Sequence, residues 1–227
     1  MTQKAAFDDW PERYEAWFAT PIGKLVLDVE GKLVSSMVLA QPGDRMLDAG
    51  CGTGIFTSDF VAAGARVTGI DISRPMLVAA RSKMSGSPFY PVQADMRRLP
   101  FLNSSFDKSV SITALEFIED GQAAVDELFR VTRPGGVVVV ATLNSLSPWA
   151  ERRSAKTRRG QRHILENAFY RSPEDLLALT LFKGSAKTVV HFQKDDDPRQ
   201  AVLTEQKGES LGLNTGAFVA VRWQKPV

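Results

Sequence analysis

The sequence predicts an α/β domain built on a mostly parallel sheet, and three observations predict it. Segments of strand and helix character alternate from Arg45 to Asn144. Runs such as Val137-Val138-Val139-Val140 are continuously apolar, as strands covered by helices on both faces must be. Four acids, Asp48, Asp71, Asp95 and Glu116, fall near the expected carboxyl ends of strands, where open parallel sheets bind their ligands.

Each element has its own signal. Residues 7–18 place Phe7, Trp10, Tyr14, Trp17 and Phe18 three and four apart with acids opposite, the pattern of an amphipathic helix. Thr20-Pro21 is a cap followed by a proline at the first helical position, and Ile22, Leu25, Val26, Val29, Leu33 and Met37 give the helix that follows its buried face. Gln41-Pro42-Gly43-Asp44 ends it. Strands are then expected at 45–48, 66–70, 89–94, 106–112 and 136–143, with helices near 54–63, 74–85 and 121–131. Ser172-Pro173-Glu174-Asp175 starts a further helix with Leu176, Leu177, Leu179, Leu181 and Phe182 on its apolar face. Residues 187–192 and 217–223 read as two late strands. Asp195-Asp196-Asp197 between them reads as a solvated loop, because three consecutive carboxylates cannot all face one ion.

Composition sets the outer bounds. A chain of 227 residues, 44% hydrophobic and 24% charged, is expected to form one globular domain over 1–227. A formal charge of +2 is too small to imply a nucleic-acid or membrane partner by itself. No segment approaches the ~20 apolar residues that cross a bilayer, and Cys51 alone can form no internal disulfide, so the expected setting is the cytoplasm.

The densest chemical signal is Met46-Leu47-Asp48-Ala49-Gly50-Cys51-Gly52-Thr53-Gly54-Ile55-Phe56, a strand, a tight loop and a helix. Gly50, Gly52 and Gly54 have no Cβ and let a ligand approach the backbone, with helix N–H groups aimed at it. A dinucleotide fingerprint wants glycine at the first, third and sixth positions, and the sixth here is Ile55. The stretch Leu47 to Gly54 instead resembles the first motif of the class I S-adenosylmethionine-dependent methyltransferases. Three further segments follow in that family's order: Val67 to Ser73 with Asp71, Val92 to Met96 leading to Leu99-Pro100-Phe101, and Leu128 to Gly136.

The resemblance implies a Rossmann-like three-layer sandwich of seven strands, the last antiparallel beside the fifth, with S-adenosyl-L-methionine as cofactor. It implies that Asp48 and the loop residues Gly50, Cys51, Gly52 and Gly54 hold the methionine part. Asp71 would accept from the ribose hydroxyls with Ile72 beside it, Asp95 would accept from the adenine amino group, and Met96 would pack on the ring. Leu115, in the segment after strand four, and Tyr14, in the N-terminal segment, would also touch the cofactor. Glu116 is the candidate for orienting or deprotonating an acceptor. Cys51 inside the loop reads as a small filler, and an acid at Asp71 has little structural purpose of its own. No metal site is expected. His191 reads as a packed core residue and His163 as a weak candidate base.

Two segments stand outside this scheme, and each has two readings. The N-terminal helices at 1–40 serve as a lid or as plain packing. Within the insertion at 145–171, residues 151–163 hold Arg152, Arg153, Lys156, Arg158, Arg159 and Arg162 against one acid and form a solvated face, or a lid that draws an anionic substrate or a phosphate backbone. No Asn-Pro-Pro-Tyr follows strand four and no basic domain is appended, so nucleic acid is disfavoured as a partner. The pattern is most similar to the methyltransferase type 11, quinone-biosynthesis-like branch. The expected function is methylation of a small-molecule acceptor by a monomer or homodimer. An RNA or protein methyltransferase docking through 151–163 and a non-catalytic cofactor-binding module are the alternatives.

Overall fold

The computed structural model describes residues 11–158 and 165–227. One seven-stranded sheet runs in the order β3-β2-β1-β4-β5-β7-β6. Its strands are β1 (Arg45–Ala49), β2 (Arg66–Asp71), β3 (Phe89–Gln93), β4 (Phe106–Ile112), β5 (Thr132–Leu143), β6 (Gly184–Val189) and β7 (Phe218–Gln224). All neighbours from β3 to β5 pair in parallel, while β7 pairs antiparallel with both β5 and β6. The sandwich expected from the resemblance is therefore present.

The helices are α1 (Pro11–Phe18), α2 (Pro21–Val38), α3 (Thr57–Ala62), α4 (Arg74–Lys83), α5 (Gly121–Val131), α6 (Pro148–Arg158), α7 (Pro173–Leu177) and α8 (Pro198–Ser210), with a 3-10 turn at Leu115–Phe117. Alternate residues of the strands feed two separate cores. Met46, Val67, Val139 and Ala141 pack toward α2 and its neighbours, whereas Leu47, Ile70, Val138 and Val140 pack toward α5 and α7. This alternation explains the unbroken apolar runs, since both sets are hidden from water, each buried side chain gaining roughly 1.5–3 kcal/mol.

Local chemistry sets most boundaries. Thr20 caps α2 by accepting from the Gly23 N–H at 3.1 Å, Ser73 caps α4, and Ser172 and Asp175 form a reciprocal capping box at α7. The helix expected near 54–63 starts only at Thr57, because a turn bonded from the Gly54 N–H to the Cys51 carbonyl uses the preceding residues. Strand β5 begins at Thr132, earlier than the expected 136, and β6 spans 184–189 rather than 187–192. Helix α7 is short, so Leu181 is fully exposed instead of lying on an apolar helical face.

The acidic triplet is a turn, and the rest of the polar stretch after it, for which the sequence predicts no element, is largely a helix. Asp197 caps α8 by accepting from the Arg199 N–H at 2.9 Å, so the last acid of the triplet is a helix start. The buried face of α8 is Ala201, Glu205 and Gly208, too small or too polar to register as an apolar stripe. Among the described residues no helix is long and apolar enough to cross a membrane, and no group of acids, histidines or cysteines could hold a metal ion.

Candidate active site

The sheet's carboxyl edge opens into a cavity of about 860 Å³, within the range of about 300–1,000 Å³ typical of small-molecule sites. Its lining follows the strand order. Gly50, Cys51 and Gly52 come from the loop after β1, Asp71 and Ile72 from the end of β2, and Asp95 and Met96 from the segment after β3. Thr113, Ala114 and Glu116 follow β4, Leu143 ends β5, and Val190 and Gln193 follow β6. Glu30 of α2 and Trp149, Arg152 and Arg153 of α6 close it from outside the sheet.

The glycine loop is held by backbone geometry. Gly50 has φ +82°, and a Cβ there would lie 2.2 Å from the Ala114 Cβ. Gly52 has φ +53° with nothing within 4 Å of where a Cβ would stand, so it leaves open space facing the cavity. Asp71 spans the loop and the next helix: one carboxylate oxygen accepts from the Gly52 N–H at 2.9 Å and the other from the Ser73 N–H at 2.8 Å. The expectation that an acid here has little structural purpose is corrected, because Asp71 joins the two elements that meet at the site.

The remaining candidates divide into those that line the cavity and those that do not. Asp95 lines it and is ion-paired with Arg97 at 2.6 Å, which holds its carboxyl below the ordinary range. Met96 lines it while almost fully buried, and Ile72 is exposed on its wall. Asp48, Gly54 and Leu115 do not line it. Asp48 lies behind the loop, accepts from the Thr57 hydroxyl at 2.6 Å, and is pushed up to about 7 by burial. A Cβ at Gly54 would meet Met84 Cε at 2.5 Å, so this glycine serves packing against α4. Leu115 is buried among the α5-side core. Cys51 packs over Gly69 and Phe89, and burial raises its thiol well above the usual range, as a filler should be.

Two buried carboxylates share the cavity. Glu116 is 1% exposed, accepts from the Thr142 hydroxyl at 2.8 Å, and burial pushes it up to about 7. Glu30 is 6% exposed, and burial followed by the Glu116 charge pushes it up to about 8. Sequence reasoning missed Glu30, although it sits four residues from both Val26 and Val34, an acid inside the apolar stripe of α2. Arg153 lowers both acids and stands over the Trp149 ring, 5.4 Å from its centroid. Trp149 is fixed in turn by donating its indole N–H to the Phe192 carbonyl at 2.7 Å.

The segments outside the sheet also take definite places. Trp17 and Phe18 of α1 line the cavity and touch edge to face. The side chains of Tyr14, Lys156 and Arg158, and all of Arg159, Arg162 and His163 of the basic run, lie outside what is described. Arg152 pairs with Asp195 at 3.2 Å at the cavity's rim, and Arg153 faces its interior, so the described part of the run is not simply a solvated face. His191 is half-buried after β6 rather than on a strand, with its backbone N–H donating to Glu205 at 2.6 Å.

Residues 47–140 match a family described as "Methyltransferase domain". Over 115 residues the chain is 39% identical to a malonyl-[acyl-carrier protein] O-methyltransferase of Erwinia billingiae, covering 51% of this chain and 45% of that one. It is 34% identical over 145 residues to a demethylmenaquinone methyltransferase of Beutenbergia cavernae, covering 63% and 58%. The chain thus spans about half the length of the curated relatives it matches. Among solved structures it superposes with TM-score 0.72 on a SAM-dependent methyltransferase, a possible histamine N-methyltransferase, of Thermotoga maritima, at 22% identity over 97% of this chain and 98% of that one.

Proposed function

We propose that this chain, which carries a methyltransferase domain of the class I S-adenosylmethionine-dependent kind, transfers a methyl group to a small-molecule acceptor held within its edge cavity. The observation that carries the reading is that a single cavity joins a ligand cradle to a wall of aromatic and acidic side chains. The cradle fits the cofactor: Gly52 leaves room where a Cβ would intrude, and Asp71 stands beside it. A carboxylate is an acceptor at both oxygens, and Asp71, anchored by the Gly52 and Ser73 N–H groups, is the acid that would accept from the ribose hydroxyls. Asp95, kept ionised by Arg97, would accept from an adenine amino group, and Ile72 and Met96 on the same wall would hold the ring. Asp48 braces the loop through Thr57.

When bound, S-adenosylmethionine supplies a methyl carbon on a positively charged sulfur, open to in-line displacement. The protein's task is to hold the acceptor in line and exclude water, which is worth roughly 7–11 kcal/mol. Trp17, Phe18, Phe117, Trp149 and Phe169 line the cavity and supply the dry wall. Much of that wall, including Glu30, Trp149 and Arg153, lies outside residues 47–140, so the acceptor is a matter of this chain's own side chains rather than of the matched domain.

Calorimetric titration with S-adenosylhomocysteine tests the cofactor half. Asp71→Ala is expected to weaken binding more than tenfold, about 1.4 kcal/mol, by deleting charge-assisted hydrogen bonds; equal affinity in the variant removes Asp71 from the site. Incubation of a small-molecule extract with methyl-labelled cofactor tests the other half. Tight cofactor binding without label in any small product favours a binding module instead.

A further inference from the structure

Resting on the methyltransferase reading, we propose that Glu30 and Glu116 form a proton-accepting pair in this cavity and that its acceptor is a neutral, ring-type molecule bearing a weakly acidic hydroxyl. Two carboxylates reach the same cavity from different elements, Glu30 from α2 and Glu116 from the 3-10 turn after β4, and both are more than nine-tenths buried. Such a pair is costly unless it holds a proton or meets cations. Arg153 acts on both carboxyls and Arg171 on Glu116, while Glu30 has Arg153 alone of the two.

Burial and then the Glu116 charge place Glu30 at about 8 and burial places Glu116 at about 7, so near neutral pH the pair can take up a proton. A base is most effective when its pKa lies near the working pH. The Thr142 hydroxyl fixes one oxygen of Glu116, and the Phe169 N–H fixes its carbonyl, so the group is positioned rather than mobile.

The surroundings select the acceptor. Phe18, Phe56, Phe117, Trp149 and Phe169 give it aromatic walls. At pH 8, with Glu116 mostly ionised and Glu30 about half, an anionic acceptor would meet carboxylate charge, and Arg152 at the rim is already paired with Asp195. An acceptor with a hydroxyl proton is complementary. In the step, the O–H proton passes to Glu116, the oxygen lone pair forms the new C–O bond to the methyl carbon, and the C–S bond breaks with its pair left on sulfur. Other groups facing the pair are Tyr170 and Arg171, ahead of α7, with Glu119, Lys194 and Asp195 elsewhere on the cavity wall.

The probe is 2-naphthol, whose fluorescence distinguishes its neutral and ionised forms, compared with 2-naphthoate. The protein is expected to bind 2-naphthol more than tenfold tighter than 2-naphthoate at pH 8. Naphtholate emission from the bound probe should fall as pH is lowered from 8 to 6 and be lost in Glu116→Gln. Equal or tighter binding of 2-naphthoate, or pH-independent emission from the wild type, overturns the proposal even if the variant fails to fold. S-adenosylhomocysteine binding separates the two readings. If the wild type binds it while 2-naphthol fails, only the acceptor assignment falls; if it does not bind, the methyltransferase reading falls as well.

Discussion

Gly50 and Gly52 stand two residues apart in one loop yet do different work. At Gly50 a Cβ would strike Ala114, so Gly50→Ala is expected to destabilise the fold by several times the roughly 1 kcal/mol that positive φ alone costs. At Gly52 no protein atom objects. Gly52→Ala should therefore fold with only about a 1–2 kcal/mol loss in urea denaturation, while losing affinity for S-adenosylhomocysteine at least tenfold. Unchanged affinity in Gly52→Ala would mean that the open space is not the cofactor's. The sequence marked both glycines as permissive; only the neighbours distinguish them.

At the scale of elements, α8 is the case where pattern and fold part company. Its Glu205 is buried and accepts from the Val190 N–H at 3.0 Å and the His191 N–H at 2.6 Å. These bonds hold the chain just past β6, where Val190 adopts φ +66°, a conformation strained for a β-branched residue. Glu205→Ala should cost about 2–3 kcal/mol, because it orphans two amide donors and releases that turn. Amide hydrogen exchange should locate the loss at residues 189–192; a loss spread evenly over the sheet would contradict this. A helix whose buried face is alanine, glutamate and glycine is stabilised by hydrogen bonds and fit, and periodicity of large apolar residues cannot reveal it.

Over the whole molecule, buried acids set the response to pH. Asp48, Glu30 and Glu116 move from ordinary values of 3.8, 4.5 and 4.5 to about 7, about 8 and about 7. The native state then binds more protons than the unfolded chain between roughly pH 4 and 8, so stability falls as pH rises through that window. Surface acids such as Asp95 and Asp107, which are lowered, oppose this only at the acidic end. Thermal unfolding should show a Tm decreasing from pH 5 to pH 8. Glu30→Gln should raise Tm at pH 8 by about 5 °C or more, given about 1.4 kcal/mol per pKa unit and about 2–4 °C per kcal/mol at this size. A flat Tm over the window would show that these acids are not held protonated.

By itself the sequence determined the strand and helix alternation, the glycine loop, and the acids at the strand ends. Each of these depends on local propensity, backbone freedom or a two- or four-residue period, all of which are written along the chain. Tertiary structure decided which residues meet. It placed Glu30 of α2 beside Glu116 of the turn after β4, brought Arg153 and Trp149 of α6 over them, and set Asp48 behind the loop instead of in the cavity. Such encounters join positions dozens of residues apart, and the burial that raises a carboxylate's pKa exists only once those segments have packed together.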